Sequence, residues 1–494
     1  MPQIPRESSS CARARARAYT RSNASSTSHR KKRLGFLDGL RGLLVGYICV
    51  GHFAGCVISS PALLAALCQV NVAVGGLFVI SGYAAMYSAS SFDGNHPKVD
   101  LAKVEPCIGY TARRIAAFYP LHLIALVLFG PLLAMGELSY NSVSETAFRA
   151  VISVLLLQSW FPMRAEVFNS PTWFLSALGF ALLVLPYALI QLSRLSRKGL
   201  RICIATCAAL SALCKVSYSV EVPGSFQLFD ALTSGKLHPN LMAWNATRFS
   251  PFGAMLEVIT GAAAARLPLL DRVQRRSHTD NDGGDGSSAS SVSRTESALV
   301  PMILVGVLVV LRAYFSPQYG VNDGIARSLV FLPAFLSLLV RLHRLTDNDL
   351  ENSPTVSLTA APALRWLGTI SFPLFIVHAP LGQVLYKRAI ASKLWGSALT
   401  NRPLVFVGWI VACLVLAQAA HRYIIRSKRV QAASESAAQS ITRLLTSQPE
   451  EIEKEDNDRL PREDSIDFTN YPSKSDSAKG SDDHTSASMS VQQS

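Results

Sequence analysis

Arg41 and His52 stand eleven positions apart in an apolar stretch, FLDGLRGLLVGYICVGH, running from Phe36 to His52. An α-helix turns about 100° per residue, so this step returns the two side chains to within roughly 20° of one face, about 16 Å apart along the axis. Arg41 then lies near a membrane surface and His52 near the middle of a hydrocarbon layer about 30 Å thick. A guanidinium at the rim suits phosphate, and a neutral imidazole at depth can take a proton from an attacking hydroxyl. The spacing predicts a polar track running inward along this helix. His378, in ISFPLFIVHAP, lies about fourteen residues into another apolar run and is placed to meet His52 from the opposite direction or to serve as a packing residue. Glu257, in MLEVITG, is a carboxylate in an apolar run, where charge needs a partner or a function. Pairing with an arginine and a place in the site are both open to it.

These residues need a membrane to sit in, and the composition supplies one. Apolar residues make up 49% of the 494-residue chain and charged residues only 16%, with a mean hydropathy of +0.27. That describes a polytopic membrane protein. The net charge of +14 is concentrated between apolar runs and in the first 33 residues, which suits topology signals and anionic headgroups and excludes nucleic acid as the partner. The cysteines form no CxxC pair, and no HExxH or Cys/His cluster with ligand spacing occurs, so neither a disulfide framework nor a metal site is expected.

Apolar runs long enough to cross a bilayer occur near 37–58, 70–89, 115–135, 172–192, 202–218, 252–267, 298–315, 325–341, 364–386 and 403–424. The fold class is therefore an all-α integral membrane bundle of about ten transmembrane helices. A further stretch, Ala147 to Trp160, is short and carries Arg149; it is read as interfacial or re-entrant. With it omitted, the basic loops fall on the side of the N-terminal tail, which places both termini in the cytosol of an endomembrane or plasma-membrane protein. Residues 1–33 read as a disordered basic cytosolic tail, although an organellar transit peptide shares that composition. The bundle domain spans 34–425, interrupted by a flexible insert at 277–297, and 426–494 reads as a disordered, acidic, Ser-rich cytosolic tail. Asn245-Ala246-Thr247 is a glycosylation sequon in an outer loop.

Five segments in order carry a resemblance: FLDGLRG followed by His52, LFVISGY at 77–83, RRIAAFYP at 113–120, NSPTWFLSALGFALLVLP at 169–186, and LRWLGTISFPLFIVHAPL at 364–381. Together they resemble the acyltransferase type 3 family, membrane O-acyltransferases that modify sugars and other hydroxyl compounds. The resemblance covers about 34–425, and its most specific element is the Arg41 to His52 spacing. Three family positions carry other residues here, Gly75, Ala117 and Leu178, which bears on the substrate more than on the reaction.

The resemblance implies a ten-span bundle, an acyl-CoA donor as substrate with no bound cofactor, and a hydroxyl acceptor such as a carbohydrate. His52 is then the general base, with Arg41 beside it in the catalytic set. Arg113 and Arg114 would hold donor phosphates or act as positive-inside anchors. Ser81 and Trp173 match family positions, but a small residue also permits close helix approach and Trp also suits a membrane interface. With His378 and Glu257 they complete the substrate-binding candidates; a soluble partner enzyme is compatible with this reading. Two other classes remain: a proton-coupled transporter or exporter using the same buried histidines, and a catalytically inert membrane scaffold.

Overall fold

Lipid offers no hydrogen-bond partner to a backbone N–H or C=O, so each apolar run must close its own bonds as a helix. The computed structural model describes residues 33–93, 96–221, 240–281, 297–319, 323–347 and 353–446. The readings of the basic tail over 1–32, of most of the insert (282–296), of the outer loop over 222–239 and of the tail from 447 onward lie outside the described residues.

The first part of the chain runs α1 (Gly35–Phe53), α2 (Pro61–Leu67), α3 (Val70–Ala89), an antiparallel hairpin of β1 (Ser90–Asp93) and β2 (His96–Val99), then α4 (Cys107–Glu137) and α5 (Val143–Val154). It continues through α6 (Trp173–Arg194), α7 (Arg197–Glu221), α8 (Leu241–Arg248), α9 (Pro251–Asn281) and α10 (Leu299–Tyr319). A π-helical turn, Ala326–Phe331, leads into α11 (Leu332–Asp347), followed by α12 (Pro354–Thr359), α13 (Pro362–Thr369), α14 (Ser371–Tyr386), α15 (Arg388–Trp395), α16 (Pro403–Ala420) and α17 (Lys428–Thr446).

Each of the ten apolar runs carries a helix over most of its length. Among the described residues, eight helices are long and apolar enough to cross a membrane, and α13 with α14 makes a ninth bent by 67° at its break. The apolar part of α10, Leu299–Tyr314, falls below that length at about 24 Å. The stretch near 147–160 does not span: it forms α5 and short 3-10 turns. Ion pairs hold it at one end of the bundle, Arg149 reaching Glu137 at 2.9 Å and Glu145 at 2.8 Å. Arg164, then Arg149, holds the Glu145 carboxyl down to about 2. One reading is corrected: residues 428–446 form a helix, α17, because small and apolar residues recur along one face (Val430, Ala433, Ala437, Ile441) despite the polar composition.

Prolines inside spans fix helix partners. A helical proline leaves the carbonyl four residues earlier without its N–H, and lipid cannot replace it. Pro186 in α6 frees the Leu182 carbonyl, which accepts a hydrogen bond from the Thr111 hydroxyl of α4 at 2.7 Å. A Thr111→Val variant keeps the shape but orphans that carbonyl. It is expected to cost about 1–3 kcal/mol, read as a lowered thermal unfolding transition in detergent.

The core packs backbone against backbone. A Cβ added at Gly82 of α3 would collide with the Val258 carbonyl of α9, and one at Gly261 of α9 with the Val79 carbonyl of α3. On α1, Gly39 and Gly42 meet the backbone around α12 and α13, and Gly368 of α13 meets the Asp38 carbonyl. The glycines of LDGLRG therefore let α1 lie against the first half of the bent span, which aims the second half at His52.

Candidate active site

Nδ1 of His52, near the end of α1, lies 2.9 Å from Nε2 of His378 in the middle of α14. The ring planes differ by 4° and the centroids are 5.2 Å apart, little more than the N···N distance plus two ring radii. The imidazoles are therefore coplanar and in line, edge to edge. His378 is completely buried, whereas His52 is exposed.

This chain of contacts fixes the tautomers of a neutral pair. His378 Nδ1 lies 3.1 Å from the Leu374 carbonyl, which can only accept, so Nδ1 carries the hydrogen. Nε2 of neutral His378 is then an acceptor, and His52 Nδ1–H donates to it. His52 Nε2 is left with a free lone pair on the exposed ring. A proton taken there becomes shared along two in-line imidazoles, a relay that a single histidine could not offer.

Residues that sequence reasoning passed over hold this pair. Pro380 removes the partner of the Ile376 carbonyl, and Asn169 Nδ2 supplies a replacement at 2.9 Å. The Trp409 indole N–H donates to the His378 carbonyl at 3.3 Å. Gly382 is bare because the Phe53 ring occupies the space a Cβ would need. The proline two positions after His378 signalled an orphaned carbonyl, but nothing in the sequence said that Asn169 would fill it. Arg248, at the end of α8, was also missed. It lies within electrostatic range of His52, pairs with Glu166 at 3.4 Å and stacks over Phe249 at 4.7 Å. A Gly382→Ala variant pushes Phe53, and with it His52, off the in-line geometry. It is expected to lower turnover about tenfold to a hundredfold with the apparent donor KM little changed, as measured by initial-rate kinetics on reconstituted protein.

The other expected site residues divide. Arg41 shares a helix face with His52, but Val45 and Ile48, which lie between them on that face, are buried, so the expected polar track is a packed seam. Arg41 instead donates to Asp38 at 2.9 Å and to the Gly368 carbonyl at 3.1 Å, capping the end of α13 just before the bend. Arg113 and Arg114 line one recess of about 240 Å³ with Lys103, Tyr110 and Ser88. Glu257 is far from open surface and is paired with Arg327, the arginine partner its burial called for. Trp173 is buried against Phe249 and Phe78, and the Ser81 hydroxyl donates to the Leu77 carbonyl of its own helix at 2.8 Å. Those contacts are structural. An aromatic series does connect that region to the pair, from Phe78 through Phe174 and Phe375 to His378.

The acyltransferase domain profile matches residues 34–422. The chain belongs to the acyltransferase type 3 family. The Acyltransferase MdmB of Streptomyces mycarofaciens is 27% identical over 202 residues, a stretch covering 40% of this chain and 46% of that protein. The chain thus aligns with about half the length of that relative. No solved structure matches. The family and the apolar helices together make this chain a multi-pass membrane protein.

Proposed function

We propose that this acyltransferase moves an acyl group from acyl-CoA to the hydroxyl of a carbohydrate or small lipophilic acceptor, with His52 as the general base. The His52–His378 pair carries the reading: one ring nitrogen exposed and free, the other locked by a buried donor–acceptor chain. The acceptor O–H gives its proton to His52 Nε2 as its oxygen bonds to the thioester carbonyl carbon. The C–S bond then breaks, and the departing thiolate takes the proton from His52. Arg248 adds positive charge to the surroundings of His52. Arg113, Arg114 and Lys103 form the basic recess suited to the donor's phosphates. Arg41 acts by capping α13, so that the bend delivers His378 to His52. The reading needs no metal or bound cofactor. Both termini are assigned to the cytosolic face of an endomembrane or plasma membrane, and a soluble partner enzyme could supply or consume the acylated product.

Purified protein in nanodiscs, offered a panel of labelled short-chain acyl-CoAs with sugar and lipophilic acceptors, is expected to release free CoA and form an ester. Movement of an acceptor into sealed vesicles without covalent change would favour the transporter reading instead. Neither turnover nor movement in the presence of a full acceptor panel would favour the scaffold.

A further inference from the structure

A large cavity in the described bundle lies away from the histidine pair. It holds about 1030 Å³ between α4, α6 and α17, and neither His52 nor His378 lines it. Its walls are aliphatic and aromatic, among them Ile108, Ile115, Leu183, Ala437 and Ile441. That volume sits at the upper end of the range for ligand pockets, about 300–1,000 Å³. The helix α17 touches α4 closely where Thr442 meets Gly109, and Ala438 beside that contact is buried. Alongside this crossing the two helices stand apart. Apolar surface predominates over the polar edges of Thr111, Tyr119, Tyr187 and Ser434, so the walls gain dispersion contacts most from a long apolar group.

The border of α17 is basic. Lys428 and Arg429 immediately precede Val430, which lines the cavity, and Arg113 and Arg443 line an adjoining recess of about 190 Å³ on the other flank of the crossing. The one acidic residue of α17 is Glu435. Amphipathic helices with such a border lie at bilayer surfaces and favour anionic lipid.

We propose that this cavity is a binding site for an anionic phospholipid, with its acyl chain between α17 and the α4–α6 wall and its phosphate at the basic border. The donor's acyl chain is a poorer fit, because its thioester must reach His52, and the cavity is lined by other helices. The lipid fastens α17 to the bundle.

The test is native mass spectrometry of delipidated full-length protein titrated with phosphatidylglycerol or phosphatidylcholine. The wild type is expected to bind phosphatidylglycerol more tightly. Ala437→Phe, which fills the cavity, is expected to weaken both lipids about tenfold, and Ser434→Leu to act in the same direction, each with an unchanged melting transition. Lys428→Gln with Arg429→Gln is expected to reduce the preference for phosphatidylglycerol, about fivefold per removed charge, and to leave phosphatidylcholine binding in place. Equal affinity for the two lipids in the wild type, or filled-cavity variants that fold and bind as the wild type does, would overturn the proposal. Displacement of phosphatidylglycerol by stoichiometric long-chain acyl-CoA would also overturn it, by assigning the cavity to the donor.

Discussion

His52→Ala is expected to remove acyl transfer while leaving the bundle folded. His52 is exposed and, among the described residues, its side chain bonds only to His378, so its loss opens no cavity in the core. A positioned general base contributes about 10²- to 10⁴-fold to rate, and the loss should fall in that range. His378→Ala should cost about a hundredfold, because His52 Nδ1–H loses the acceptor that fixes its tautomer and its ring. The double variant should be no slower than His52→Ala, since residues acting as a unit are not additive. CoA release and ester formation by reconstituted variants, with a monodisperse elution profile as the folding control, decide this. A folded His52→Ala protein with wild-type turnover would remove the histidine from the mechanism.

Arg327→Met is expected to be the most destabilising single change. Arg327 grips Glu257 through both guanidinium edges, Nε to Oε1 at 2.7 Å and Nη2 to Oε2, and donates to Asn71 Oδ1 at 2.9 Å. Both side chains are almost fully buried, at 5% and 1% exposure. Removing the arginine leaves the carboxylate, among the described residues, with Lys215, 3.8 Å away and already bonded to Ser328 and Ser211. Breaking one side of a buried pair costs about 3–5 kcal/mol. In a Glu257→Gln background the same substitution should cost less than half as much, because no charge is stranded. Thermal unfolding of the four proteins in one detergent measures the interaction, and additive losses would show that the pair is not coupled. Activity should follow stability here, since Arg327 also packs over Phe78 at the head of the aromatic series that reaches His378.

Gly75 belongs to this same network. A Cβ there would strike the Arg327 side chain, so the glycine makes room for the arginine that Glu257 neutralises. What reads in the sequence as a departure from the family is, in three dimensions, the space for a charge pair built from α9 and the π-helical turn.

By itself the sequence determined the class of solvent, the helical bundle, the apolar runs and the identity of the two histidines. Those follow from local rules: a backbone in lipid must bond within its own helix, and an ionisable group at depth must have a reason to be there. It also showed that Glu257 needed a partner or a function. Tertiary structure alone decided the rest. The in-line approach of His52 and His378 joins residues from opposite ends of the chain and depends on a 67° bend whose angle is set by glycine contacts between α1 and α13. Arg41 and His52 share a face by helical arithmetic, yet what lies between them on that face is packing, and no periodicity reports which neighbour covers it. The partner of an orphaned carbonyl follows the same logic. Proline announces that a hydrogen bond is missing four residues back, but only the packed bundle shows that Asn169 supplies it beside His378 and Thr111 beside Pro186.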